Sequence, residues 1–480
     1  MSFTTLKFIL FFLLVLVGYY RLPARGQKLW LLAASYAFYL MASGSFALLL
    51  AAGTVISYVI ARLMERYPAR RRLLLAAGVV YTLGVLFVFK YFNFFCSSVL
   101  ALAGVTADPI LTLLLPVGIS FFSFAISGYL FDVSAGRIPA TRNLWDYAVF
   151  VAFFPTLLSG PIGRAPQFLP QLRAPIPYNS RMVRHGAMRF VWGAFKKLVV
   201  ADGLGQLVDI AYADPSAVSG GYMLLAAVLY SFQLYYDFSA YSDMAIGGAE
   251  MLGLRVMENF KAPYLVRTVK DFWKKWHISL TSWFRDYLYF PLGGSRKGKA
   301  RTNLNVLIVF TVSGLWHGAA YTFLIWGLLN GIYQVLGSLT MPSRLRLHRR
   351  LNLREDSRLL AAVQCIVTFL LVTAAWIFFR ADTLEQAVYV CKHILLIARD
   401  GFGFDPAAVW AQHRTIFQLI LCALPCIWED TRIARGKAMP DLSGTSFRYW
   451  GVMLVLVQLI ALFGIYGAGF DPREFAYFQF

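Results

Sequence analysis

His317 stands alone in a stretch without charge. From Asn303 to Thr340 there is no Lys, Arg, Asp or Glu, and His317 is the one side chain there that titrates near neutral pH. Basic clusters flank the stretch: Arg296, Lys297, Lys299 and Arg301 before it, then Arg344, Arg346, Arg349 and Arg350 after it. An ionisable residue within an apolar, membrane-length run is costly and usually faces a cavity or a pathway. A neutral imidazole in that setting could take a proton from a substrate hydroxyl, and such general-base help contributes about 10²–10⁴-fold in rate. The structural alternative is a packed histidine hydrogen-bonded to a neighbouring helix.

Two more segments are polar in an unusual way. Tyr235-Tyr236-Asp237-Phe238-Ser239-Ala240-Tyr241-Ser242-Asp243 places two carboxylates and several hydroxyls directly after an apolar run. Phe272-Trp273-Lys274-Lys275-Trp276-His277-Ile278-Ser279-Leu280 leads into Trp283-Phe284-Arg285-Asp286-Tyr287. Tryptophan, tyrosine, lysine and arginine together suit an interfacial helix at the headgroup level. That explanation covers the aromatics and lysines better than it covers Asp237, Asp243 and His277. The chain has no G-x-S-x-G elbow, P-loop, H-E-x-x-H or C-x-x-C. Any chemistry must therefore proceed without a serine or cysteine nucleophile in a standard setting. The five cysteines have no metal-site spacing and fall mostly in apolar segments, so free thiols and no bound metal are expected.

The elements that position these residues follow from composition. Of 480 residues, 59% are hydrophobic and 14% charged, against about 25% charged in a soluble domain. Repeated apolar runs predict an all-α polytopic membrane protein, since a span needs about 20 residues. The net charge of +21 resides in short loops between apolar runs, which is a topology signal. Nucleic acid is thus not an expected partner; membrane lipid is. The first twenty residues resemble a signal peptide but end in Gly18-Tyr19-Tyr20-Arg21, without a small-residue cleavage site, and read as a retained span.

Arg21, Arg25 and Lys28 make the first connection basic, and Arg62 to Arg72 holds five arginines. The positive-inside rule then puts the N-terminus outside. Spans are predicted near 73–95 and 110–131. The run 145–159 has positive segments on both flanks, the second reaching Lys196 and Lys197, and is expected to dip in and return. Further spans are expected near 198–212, 217–236, 303–319, 321–340, 359–379, 415–428 and 448–467, with short amphipathic segments at 241–253 and 278–291. The total is about twelve crossings, with both termini outside and residues 1–480 forming one membrane domain.

The pair Trp276-His277-Ile278-Ser279-Leu280 and Gly314-Leu315-Trp316-His317-Gly318-Ala319 resembles the membrane-bound O-acyltransferases, and more closely their alginate O-acetyltransferase-like bacterial envelope branch. Tyr236-Asp237-Phe238-Ser239, Asn259-Phe260, Pro263-Tyr264, Arg285-Asp286-Tyr287-Leu288-Tyr289, Pro291-Leu292-Gly293-Gly294 and Trp376-Ile377-Phe378-Phe379-Arg380-Ala381 support that branch. The motifs are densest over 235–331. One departure is Asn330, which stands where relatives often carry a further histidine.

The resemblance implies a bundle of about twelve helices with re-entrant or interfacial segments, in a bacterial cytoplasmic membrane. It implies movement of an acyl group, expected to be acetyl, from acetyl-CoA or another cytoplasmic thioester to an exported cell-envelope polysaccharide. His317 is the expected base and His277 a positioning residue on the cytoplasmic face. Asp237, Asn303, Trp276, Trp316 and Arg285 are expected to support or line the tunnel. Relatives pass the group to an extracytoplasmic, serine-hydrolase-like partner. The terminal Phe475-Ala476-Tyr477-Phe478-Gln479-Phe480 is similar to an aromatic motif in envelope acylation systems, which makes Tyr477 a candidate acyl relay; an interfacial aromatic anchor is the alternative. A polytopic transporter or flippase, or a non-catalytic scaffold, would also place polar residues in such a bundle, although the inverted repeats expected of transporters are missing.

Overall fold

A computed structural model describes residues 2–105, 110–352, 354, 357–397, 401–403, 413–437, 443–444 and 446–466, and among them regular structure is helical throughout. The first half comprises α1 (Leu6–Arg21), α2 (Ala24–Ser43), α3 (Ala47–Arg66), α4 (Arg71–Leu86), α5 (Phe92–Leu102) and α6 (Ile119–Ser134). Helix α1 belongs to the bundle. It buries Phe8, Phe12, Val15 and Tyr19, and the Tyr20 hydroxyl donates to the Met251 carbonyl at 2.8 Å.

Helix α6 begins at Ile119 rather than near 110. Gly118 explains the late start: its φ is +77°, and a side chain there would meet the Leu157 carbonyl oxygen at 2.6 Å. The run 145–159 forms two short helices, α7 (Leu144–Ala152) and α8 (Phe154–Leu157), broken at Phe153. Pro155 supplies the break, because it lacks an N–H and its ring opposes a continuing helix. Val149, Phe153 and Phe154 around the break are buried.

The second half adds α9 (Ala165–Phe168), α10 (Ser180–Phe195), α11 (Asp202–Ala213), α12 (Gly220–Met251), α13 (Val269–Trp273) and α14 (Ile278–Phe284). It continues with α15 (Gly298–His317), α16 (Tyr321–Arg350), α17 (Arg358–Arg380), α18 (Leu384–Leu395), α19 (His413–Ala434) and α20 (Ser446–Phe463). The separate segments expected at 217–236 and 241–253 are one helix, α12, of 32 residues. Ser219 caps its start by accepting from the Tyr222 N–H at 3.2 Å, and no proline interrupts it before Gly253 turns the chain at φ +73°.

Four helical stretches among the described residues are long and apolar enough to cross a membrane: Arg25–Arg66, Pro68–Leu102, Tyr321–Arg350 and Arg358–Arg380. The first of these is divided into α2 and α3 by the turn at Gly44–Phe46. Ile119–Ser134 and Phe447–Phe463 are shorter apolar helices.

Two close helix pairs position the interior. Helix α10 lies on α12 with almost no space between backbones, so that a methyl on Gly193 would sit 2.6 Å from the Ala240 carbonyl oxygen. Helices α15 and α16 form an antiparallel hairpin with the same economy. A side chain on Gly314 would overlap the Phe323 carbonyl oxygen, and one on Gly327 would overlap that of Phe310. Small residues at a membrane-helix interface let backbones approach and gain dispersion contacts. Gly327→Ala must therefore push α15 away from α16, with an expected loss of about 1–3 kcal/mol. Thermal unfolding in detergent should show a lowered midpoint; an unchanged one would mean that the hairpin can open without cost.

Candidate active site

His277 and His317 are forty residues apart in the chain, yet their ring centroids lie 6.4 Å apart with the rings nearly perpendicular. Exposures of 1% and 4% place both inside the molecule. His317 is enclosed by Trp326, Phe379 and Trp316, whose centroids stand 4.9, 5.4 and 5.0 Å away in edge-to-face arrangements. His277 packs on Phe238 at 4.7 Å and faces Trp316 at 6.0 Å. The sequence placed His277 beside Lys274 and Lys275 at a basic face. Lys274 is indeed exposed, but three residues later the chain is fully inside. Hydropathy averages over a window and cannot register so steep a descent.

The turn into α14 delivers His277. Its backbone is left-handed, with φ +44° and ψ +55°, a conformation that costs a non-glycine residue free energy and is retained where surrounding contacts hold it. Asn259 is the main holder. Its Oδ1 accepts from the Ser279 N–H and hydroxyl at 3.2 and 2.9 Å, its Nδ2 donates to Ser242 at 3.2 Å, and its carbonyl accepts from the Ile278 N–H at 3.0 Å. The Asn259-Phe260 motif carried the signal for this role; nothing in it said which residue would be held.

His317 is the last residue of α15, where the final carbonyls of a helix lack intrahelical partners. Lys90 supplies them with donors: its Nζ donates to the Trp316 carbonyl at 2.8 Å and the His317 carbonyl at 2.9 Å. It also lies 6.0 Å from the Trp316 ring centroid. Sequence reasoning missed Lys90, although it is the only charged residue between Leu73 and Val105. Asn330, in the place of the relatives' further histidine, ties two tryptophans together, accepting from Trp273 Nε1 at 3.2 Å and donating to the Trp326 carbonyl at 2.8 Å.

A cavity of about 370 Å³ runs along α15 from Thr302 and Asn303 to Ser313. Ser313 is one helical turn before His317. Arg285, Lys270 and Lys274 also line the cavity, while Val306, Val309, Phe310 and Leu280 make its wall apolar. Of the supporting residues expected from sequence, Arg285 and Asn303 thus belong to the cavity. Trp316 and Trp276 are buried in the aromatic packing, Trp276 between Tyr235 and Trp376 at centroid distances of 6.0 and 5.1 Å. Nearby Asn305 holds the Pro291–Gly294 turn, donating to the Gly294 carbonyl at 2.9 Å.

Asp237 is engaged elsewhere and does not line this cavity. Lys197 Nζ meets Asp237 at 2.6 Å and Asp202 at 2.9 Å. Lys196, its neighbour, pairs with Asp243 and approaches Glu429 at 3.9 Å. Arg189 bridges Asp243 at 2.9 Å and Glu258 at 2.6 Å. Lys196 and Lys197, which the sequence assigned to a positive flanking segment, are therefore interior residues that hold α10 to α12. A π-helical turn over Lys196–Ala201 directs both lysines inward. Among the described residues no three His, Cys, Asp or Glu side chains converge as metal ligands. Tyr477 lies outside the described residues.

The model of the MBOAT, membrane-bound O-acyltransferase family, matches residues 48–381, more than half of the chain. The chain belongs to the membrane-bound O-acyltransferase family. As an O-acyltransferase it is similar to "Probable alginate O-acetylase AlgI" of Pseudomonas putida, with 40% identity over 81% of this chain and 79% of the relative. It is 34% identical to the peptidoglycan O-acetyltransferase of Helicobacter pylori, over 81% of this chain and 79% of that protein. Teichoic acid D-alanyltransferase of Bacillus subtilis matches at 27% over 45% of the chain and 57% of the relative. Both histidines and the cavity of this acyltransferase fall within the matched residues.

The ion pairs make a separable prediction. Asp237→Asn preserves shape and removes the carboxylate that meets Lys197 at 2.6 Å, while Asp202 stays. Breaking a buried pair typically costs about 3–5 kcal/mol, so the variant should unfold at a clearly lower temperature in detergent. Wild-type stability would remove Asp237 from the framework that joins α10 and α12.

Proposed function

We propose that the chain transfers an acetyl group from a thioester donor to a hydroxyl within the bundle, and so O-acetylates an exported cell-envelope polysaccharide. The observation that carries this reading is the convergence of buried His277 and His317. Neither lines the cavity itself, but His317 stands one helical turn of α15 beyond Ser313, which does, and the lining includes cationic residues. The relatives named for alginate and peptidoglycan O-acetylation favour the acetyl group and the polysaccharide. Acetyl-CoA is the donor proposed. Lys270, Lys274 and Arg285, which line the cavity, would meet its phosphates, and the apolar wall along Val306, Val309 and Phe310 suits the pantetheine arm.

His317 takes the proton of the acceptor hydroxyl as the oxygen attacks the thioester carbon. The carbon–oxygen bond forms, the carbon–sulfur bond breaks, and the thiolate leaves and recovers a proton. His277 positions the reacting groups. The aromatic enclosure keeps bulk water from competing for the acyl carbon. In this reading the molecule is a multi-pass bundle of about twelve crossings in the bacterial inner membrane. The basic loops face the cytoplasm, both termini lie outside, and residues 1–480 act as one domain. An extracytoplasmic, serine-hydrolase-like partner completes delivery to the polymer, and Tyr477 carries the acetyl group toward it as an aryl ester.

Acetyl-CoA-dependent acetylation by the purified protein tests the first part. His317→Ala should reduce transfer at least a hundredfold while expression and membrane insertion persist; activity within threefold of wild type would remove the base. His277→Ala should lose less, and an equal loss would mean that the two histidines act as a unit. Tyr477→Phe retains the aromatic surface and removes only the phenolic oxygen. Polymer acetylation in cells should then fall to background, and wild-type acetylation would leave Tyr477 as an anchor alone.

A further inference from the structure

We infer that Lys90 is a positioning residue for acyl transfer, acting through the backbone of His317 rather than on the substrate. This inference rests on the proposed role of His317 as base. Lys90 sits in a π-helical turn over Phe87–Tyr91 that separates α4 from α5. Such turns are rare and gather at functional sites. It carries the only charge in an apolar run from Leu73 to Val105, and no carboxylate pairs with it among the described residues. A lone ammonium in that run is expensive to keep.

What it does there is specific. Its two bonds fall on the carbonyls of Trp316 and His317, the last two residues of α15. Beyond them Gly318 is extended, as is Ala320 just before α16, so the helix ends abruptly at the histidine. Inside the helix, the Gly318 N–H reaches back only to Gly314, at 3.3 Å. Lys90 therefore ties the terminal turn of α15 to the α4–α5 layer, and its charge favours the negative end of the α15 dipole. It fixes the point from which the His317 ring projects. A small misplacement of a reacting group lowers rate far more than it lowers binding.

Lys90→Met keeps the length and apolar stem but removes the donors. In purified full-length protein, transfer from acetyl-CoA should show kcat reduced about tenfold to a hundredfold, with KM for acetyl-CoA within threefold of wild type. Lys90→Arg, which can still donate to two carbonyls, should recover kcat to within about fivefold of wild type. Folded Lys90→Met with unchanged kcat would overturn the inference, as would a rise in KM alone or a folded Lys90→Arg no better than Met. Should Lys90→Met fail to accumulate as folded protein, Lys90→Arg decides alone: near-wild-type kcat supports the tie, and a loss above a hundredfold refutes it. Transfer by wild type and its loss in His317→Ala are measured alongside. If wild type transfers nothing, or His317→Ala is unaffected, the functional reading itself fails; if both behave as expected, any failure belongs to Lys90.

Discussion

The near-contact of two helix backbones at Gly314 and Gly327 governs the interior of this acyltransferase. Because neither residue carries a side chain, α15 can lie against α16 closely enough for Trp326 to close over the His317 ring, which Phe379 of α17 also covers. Any larger residue at either position would separate the helices and open the aromatic enclosure. The rest of the molecule is arranged around this fixed hairpin. Lys90 holds its tip from the α4–α5 side, Asn305 holds the loop leading into it, and Asn330 ties it to Trp273.

Much of the site was legible because its residues contrast with their surroundings. His317 is conspicuous in a run without charge, and Trp276-His277 is conspicuous by motif. The all-helical membrane architecture followed from composition, whereas the break at Phe153 comes from Pro155 and was not anticipated. What escaped was set by contacts distant in sequence. Lys196 and Lys197 read as loop charges because sequence shows a charge without showing its partner; Asp243 and Asp237, some forty residues away, bring them inside. The same polar residues made α12 look like two segments, since hydropathy falls where α10 supplies the matching charges. Gly118 delayed the start of α6 for a reason visible only in space, the proximity of the Leu157 carbonyl.

Among the described residues, π-helical turns at Phe87–Tyr91, Lys196–Ala201 and Arg285–Tyr289 each carry basic residues. An extra residue in a helical turn changes the direction in which later side chains project, without ending the helix. In the first turn it presents Lys90 to α15, and in the second it presents two lysines to α12. In the third, Tyr287 reaches Asp132 at 2.8 Å while Arg285 lines the cavity. Steady helical periodicity would have placed at least some of these groups on outward faces. The bundle thus uses local irregularity to admit charge into an apolar interior.

The paired charges between α10 and α12 also make the two segments interdependent. A lysine or aspartate at the centre of an isolated helix disfavours entry into lipid by about 2.5–3.5 kcal/mol per residue. Taken singly, the turn after α10 would bury Lys196 and Lys197 without partners, and α12 would do the same with Asp237 and Asp243. Neither can sit in lipid as an independent helix without that cost. In the folded protein the pairing offsets that cost, so each of the two segments depends on the other to keep its charges buried.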